Sequence, residues 1–191
     1  MPRDCDLCTS IFMGRAIQPV LSSEMKVRIT HGGESWQGRR KCERPIATRR
    51  PMHIVLRSSH AKGQWSFLHP RHAPFIREWV PSLAKRFHVQ LCEWSTNSNH
   101  LHLLLRARTR QGLQHFLMVL GSRIAQHITG ARKGKPIGKR FFDSIPFSRI
   151  VEWGKALVAA KRYVVQNILE ASGAISYQPR NHRRTSSKGP P

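Results

Sequence analysis

Two histidines, His100 and His102, stand one residue apart in the segment "TNSNHLHLLLR", inside a run of leucines. Side chains of a strand alternate between its faces, so Leu101, Leu103 and Leu105 point one way and His100, His102 and Leu104 the other. Imidazole is the commonest protein ligand for metals, and two rings side by side on one face can turn their nitrogens onto one cation. A core strand would otherwise carry Val or Ile there, because a buried imidazole loses water and needs a partner in return. By itself the pair is a weak signal: the chain has eleven histidines, and most must be surface or packing residues. No spacing links His53, His60, His69, His72, His88 or His115 to a shared site, and they are read as residues of that ordinary kind.

A second chemically capable stretch is "KRYVVQNILEA". Tyr163 and Asn167 are four residues apart and share one helical face, with Gln166 beside them and Lys161 and Arg162 just before. This polar stripe interrupts an apolar helix. The chain has two tyrosines, and Tyr177 falls in the tail, which leaves Tyr163 as the well-placed phenol. The ordinary alternative is a half-buried tyrosine whose ring packs and whose hydroxyl reaches water.

The bulk charge says what such groups would act on. Lys and Arg number 33 against 10 Asp and Glu, a net charge of +23 and a pI near 11.6, which points to a polyanion and most simply to nucleic acid. No run of apolar residues is long enough to span a bilayer, and "MPRDCDLCTS" lacks the pattern of a secretion signal, so no membrane partner and a cytoplasmic, nucleoid-associated location are expected. Four scattered cysteines are expected as thiols. Cys5 and Cys8 have the spacing of half a zinc site, with no second half to complete it.

Residues 1–50 lack sustained periodicity, carry ten Lys or Arg, and read as a flexible basic extension. Residues 176–191 are basic and rich in Pro and Ser, and are expected to be a disordered tail. Between them, residues 51–175 form one domain. "MHIVLR" (52–57) and "VQLCEW" (89–94) read as strands, and "HLHLLLRAR" after the "TNSN" turn as a third. Helices are expected over 73–88, with a kink at Pro81, over 111–130, and from about 154 to 171; "FFDSIPFS" holds a further short strand. The order predicts an α+β domain, an antiparallel sheet with helices on one face.

With these elements in place, the motifs resemble a known family. "NHLHLLL" is similar to the HUH signature, two histidines around one hydrophobic residue, and "YVVQN" resembles the nucleophile helix of single-tyrosine transposases, in particular the REP-associated tyrosine transposases. "MHIVLR" and "RFFDS" fit the same pattern, so the resemblance spans roughly 51–175. It implies the ferredoxin-like HUH endonuclease fold, with Tyr163 as nucleophile and His100, His102 and Asn167 as ligands of Mg²⁺ or Mn²⁺. Family members usually have Pro after the Asn, where this chain has Ile168, and Gln166 stays open as the alternative third ligand.

The resemblance further implies cleavage of single-stranded DNA, with a hairpin as the recognised feature, through a 5′-phosphotyrosine that lets the strand be rejoined; it leaves a homodimer open. Lys161, Arg162 and the metal would favour the phenolate. Arg57, Arg106 and Arg108 near strand ends, and Arg132, Lys133, Lys139 and Arg140 in the basic loop, are the expected DNA-phosphate contacts in a domain with nineteen Lys or Arg against five acids. A non-catalytic, domesticated nucleic-acid-binding protein accounts for the charge but not for HxH together with a helical tyrosine. A water-using metal hydrolase finds no carboxylate near either motif other than Glu93 and Glu170.

Overall fold

Alternation in two adjacent strands builds the domain. Strand β2 (Met52–Arg57) turns Met52, Ile54 and Leu56 to one face, where they are at most 2% exposed, and β4 (His100–Ala107) turns Leu101, Leu103 and Leu105 the same way. The two pair antiparallel, with Val55 opposite His102 and Arg57 opposite His100. The leucine face is covered by helices α1 (Ala73–Arg86) and α2 (Arg110–Thr129), which contribute Ile76, Val80, Leu83, Phe116, Leu120 and Ile124 to the main core. The computed structural model describes residues 29–33, 43–136 and 138–177.

Strand β3 (Val89–Thr96) forms the hairpin with β4, and β5 (Phe147–Ile150) pairs with the other side of β2. A two-residue strand β1 (Thr30–His31) adds to β5, so the sheet runs β1-β5-β2-β4-β3 with every pair antiparallel. From β2 to β5 the order is βαββαβ, with both helices between strands on one face, which is the expected ferredoxin-like arrangement. One expectation changes. Helix α3 (Lys155–Ala171) lies on the opposite face, where Leu104, Val151 and Val164 form a second small core with Cys92, Leu157, Ala160 and Tyr163 beside it. The face carrying the histidines is apolar around Leu104, and an apolar sheet face needs a covering layer.

Local chemistry sets the helix ends. Thr109 caps α2 by accepting the Gly112 N–H at 3.0 Å, and Gly130 stops it in the left-handed conformation at φ 69°. Helix α1 continues through Pro81 to Arg86 without a break.

The boundary at Pro51 also gives way. His31 is 6% exposed, Ile150 N–H donates to the Ile29 carbonyl at 2.8 Å, and a side chain on Gly32 would meet the Pro146 carbonyl oxygen at 2.3 Å. Ile46 and Ala47 pack on the main core, Arg110 binds the Arg44 carbonyl and pairs with Glu43, and the Trp153 indole N–H donates to the Arg49 carbonyl. Residues 29–33 and 43–50 therefore lean on the domain; composition hid this because their contacts are mostly backbone. Residues 1–28 and 34–42, with Cys5, Cys8 and Cys42, and residues 178–191 of the expected tail lie outside the described residues. Among the described residues no helix is long and apolar enough to cross a membrane.

At the start of α1, His72 is 2% exposed; its Nε2–H donates to the Gln64 carbonyl at 2.9 Å, and its Nδ1 has no hydrogen-bond partner among the described residues. Burial lowers its pKa first, the Gln64 bond opposes this, and His127, His69 and Arg71 lower it further, so the net shift is downward. The unfolded chain therefore takes up this proton before the folded one does. Stability from His72 is complete above about pH 6.5 and is lost as pH falls below that value toward the folded pKa. Thermal melts from pH 7.5 to 5 should show a smaller loss for His72→Gln, which keeps a donor for Gln64 and does not titrate; equal losses in both proteins would remove this assignment.

Candidate active site

On the face under α3, strand pairing brings together histidines that are far apart in sequence. His53 on β2 and His102 on β4 lie diagonally across the ladder, with His53 Nε2 3.1 Å from His102 Nδ1 and the rings edge to edge, their centroids 5.3 Å apart and their planes 16° from parallel. His100 and His102 rings meet edge to face at 4.7 Å. By spacing alone His53 is an ordinary surface or packing residue. It belongs to the site, and the missing information was the β2–β4 pairing: Met52, Ile54 and Leu56 mark the inward face of β2, which leaves His53 on the other.

The "TNSN" turn also enters the site. Asn97 N–H closes the hairpin on the His100 carbonyl at 2.9 Å, while the Asn99 side-chain oxygen accepts from His100 Nδ1–H at 2.7 Å. That bond places the His100 proton on Nδ1 and leaves Nε2 as an acceptor. The Asn97 amide nitrogen then reaches His100 Nε2 at 3.0 Å and the Asn167 side-chain oxygen at 3.2 Å. Asn167 is 1% exposed, and its own amide donates to the Tyr163 carbonyl one turn back at 2.6 Å. The Tyr163 ring stands edge-on to His102 at 5.3 Å and 90° and to His53 at 5.8 Å and 74°. Gln166 faces away, donating to Glu170 at 2.8 Å.

These donors fit a divalent cation. One amide NH₂ group, two protons on one nitrogen, attracts the lone pairs of both His100 Nε2 and the Asn167 oxygen, so both lone pairs are directed toward a common positive group. An ion there would draw on the same lone pairs. The set is neutral, two imidazoles and an amide, and among the described residues no group of three His, Cys, Asp or Glu is arranged for a metal. His53 is held neutral: burial, then the charge of Arg149, pushes its pKa down to about 4.

His100, His102 and Tyr163 line a cleft of about 550 Å³ together with Arg57, Asp143 and the backbone of Gly33. Asp143 is a carboxylate that sequence reading did not place near the motifs. Its oxygens accept from the Ser59 N–H at 2.8 and 3.0 Å and from the Ser59 hydroxyl at 2.8 Å, which fastens the end of β2. Phe141, two residues earlier, anchors this segment against Phe67.

The expected phosphate-binding residues are dispersed. Arg57 is in the cleft, across from His100. Arg162 shares a neighbouring groove with Tyr163, and Lys161 lies further round α3 beside Glu93. Arg106 and Arg108 do not flank the cleft: Arg106 is four residues along β4 from His102, about 13 Å at the rise of a strand, and Arg108 lies beyond it. Arg132, Lys139 and Arg140 line a shallow groove of their own in the loop after α2, with Lys133 exposed at its hairpin.

A solved structure of a protein from Deinococcus radiodurans R1, provisionally assigned as a transposase, is similar at 14% identity and a TM-score of 0.40, covering 67% of this chain and 97% of that one. No curated protein matches the chain. The model of the family described as "Transposase IS200 like" matches residues 48–167, which run from just before β2 to Asn167 and so include every residue of the cluster. The chain belongs to the IS200-like transposase family, whose activity is the recombination of DNA.

Proposed function

We propose that the chain is a single-tyrosine transposase of the REP-associated kind, which cuts and rejoins single-stranded DNA through a 5′-phosphotyrosine. The observation that supports this best is the meeting of three elements at one point: Tyr163 edge-on to His102, and Asn167, one turn later, joined through Asn97 to His100. Tyr163 supplies the nucleophile. Its oxygen forms a bond to phosphorus as the bond to the 3′ oxygen breaks, and that oxygen leaves with a proton as a 3′-hydroxyl. The phosphoester is kept rather than hydrolysed, so a later 3′-hydroxyl can reverse the step without an external energy source.

His100, His102 and Asn167 would hold Mg²⁺ or Mn²⁺, which supplies Lewis-acid stabilisation of charge on the non-bridging oxygens. Arg57, which lines the same cleft, would contact the scissile phosphate or its neighbour. The rings of His53 and His102 both meet the phenol ring edge to face, which limits the orientations from which it attacks. Arg132, Lys133, Lys139 and Arg140 would contact the backbone of a longer DNA, such as a hairpin beside the cut, while Lys161 and Arg162 would follow the strand along α3; Arg106 and Arg108 would contribute general attraction.

The test is trapping on single-stranded DNA. Label on the 3′ side of the cut should travel with the protein in a denaturing gel when Mg²⁺ or Mn²⁺ is present, and label on the 5′ side should run free with a 3′-hydroxyl. Cleavage without an adduct would assign the reaction to water, and binding without cleavage would assign the chain to non-catalytic nucleic-acid binding.

A further inference from the structure

We propose that His53 is a positioning residue whose acceptor nitrogen holds the His102 proton on Nδ1 and so makes Nε2 the His102 nitrogen whose lone pair binds the cation. This rests on the metal reading above. Two imidazole nitrogens 3.1 Å apart share one proton, and there are two ways to place it. With the proton on His53 Nε2, His102 Nδ1 is the acceptor and neutral His102 carries its own proton on Nε2, which then has no lone pair to give. With the proton on His102 Nδ1, His53 Nε2 accepts, and His102 Nε2 is a ligand.

The other histidine shows the same device in a form with no ambiguity. An amide oxygen cannot donate, so Asn99 holds the His100 proton on Nδ1 at 2.7 Å. Each histidine of the HxH pair thus has its own acceptor at Nδ1, one from the turn before β4 and one from the strand beside it. Placement supports the assignment. His53 lies edge to edge with His102, the two ring planes only 16° apart as an in-plane N–H···N bond requires, and its edge contact with Tyr163 stops the ring from swinging out of plane. Ligand-orienting partners of this kind change metal affinity about 10- to 100-fold when removed.

Two substitutions separate the acceptor from the packing. His53→Phe keeps a ring between His102 and Tyr163 but has no acceptor; His53→Gln gives up the ring and keeps a carbonyl oxygen within reach. Mn²⁺ affinity is measured by electron paramagnetic resonance of free Mn²⁺, on full-length protein mixed with single-stranded DNA, in a Tyr163→Phe background so that the DNA stays intact. His53→Phe should weaken Mn²⁺ binding about 10- to 100-fold, and His53→Gln should recover most of it, with DNA affinity unchanged in both. Mn²⁺ affinity untouched in His53→Phe, or lost equally in the Phe and Gln proteins, overturns the proposal and leaves the metal site standing. Absence of Mn²⁺ binding before His53 is altered overturns the metal reading itself. A measurement on the unsubstituted protein guards against variants that fold poorly: ¹⁵N imidazole shifts of metal-free protein at pH 8 should show His102 protonated on Nδ1, and protonation on Nε2 overturns the proposal.

Discussion

Tyr163→Phe is expected to fold, to bind single-stranded DNA as the unsubstituted protein does, and to form no covalent adduct. The substitution removes one oxygen and keeps the ring that packs against His102 and His53, so volume and edge-to-face contacts are conserved. Stability should change by less than about 1.5 kcal/mol, the usual limit for a volume-conserving swap. Activity is another matter, because no other atom of that ring can form a phosphoester. Among the described residues the second phenol is Tyr177, which is 71% exposed and lies past the end of α3. An adduct of unchanged yield and polarity in Tyr163→Phe would move the nucleophile to another residue; loss of the adduct together with a collapsed melting transition would call for a gentler probe of the same oxygen.

The second large effect is expected at the histidine pair. His100→Ala should lower the rate of cleavage at least about 100-fold while DNA affinity and its salt dependence stay near normal, since affinity comes from phosphate contacts made by cations elsewhere. His100 is the cleaner of the two to change: it is half-buried, and its loss leaves Asn97 and Asn99 near solvent in a turn. His102→Ala should abolish cleavage as well. It should also lower the melting temperature, because His102 is 3% exposed and its removal opens a cavity beside Tyr163 and His53. Unchanged cleavage in both proteins would remove the cation from the mechanism and leave the tyrosine to be tested alone.

The parts of this protein legible in the sequence are those written in local periodicity. Alternation placed Leu101, Leu103 and Leu105 on one inward face, and all three are buried. The three helices fall within a few residues of their expected spans, stopped by Gly130 at one end and preceded by Gly154 at another. His100, His102, Tyr163 and Asn167 were legible because each pair lies within one element, where spacing alone decides which face is shared.

What spacing cannot express is which elements become neighbours. His53 and His102 are 49 residues apart, and only the β2–β4 ladder sets one nitrogen against the other. Asn97 and Asn99 looked like turn residues and are turn residues; that their side chains also serve His100 depends on the direction in which the hairpin closes. Asp143 reaches the cleft because Phe141 is buried beside Phe67, and residues 29–33 join the sheet through backbone bonds, which no side-chain periodicity announces. The sequence by itself determined strands β2 to β5, the helices, the basic charge and the residue types able to bind a cation or attack phosphorus. Tertiary structure decided which face α3 covers, and so whether the tyrosine and the histidines meet at all, because that choice rests on burying Leu104, Val151 and Val164 together rather than on any local preference.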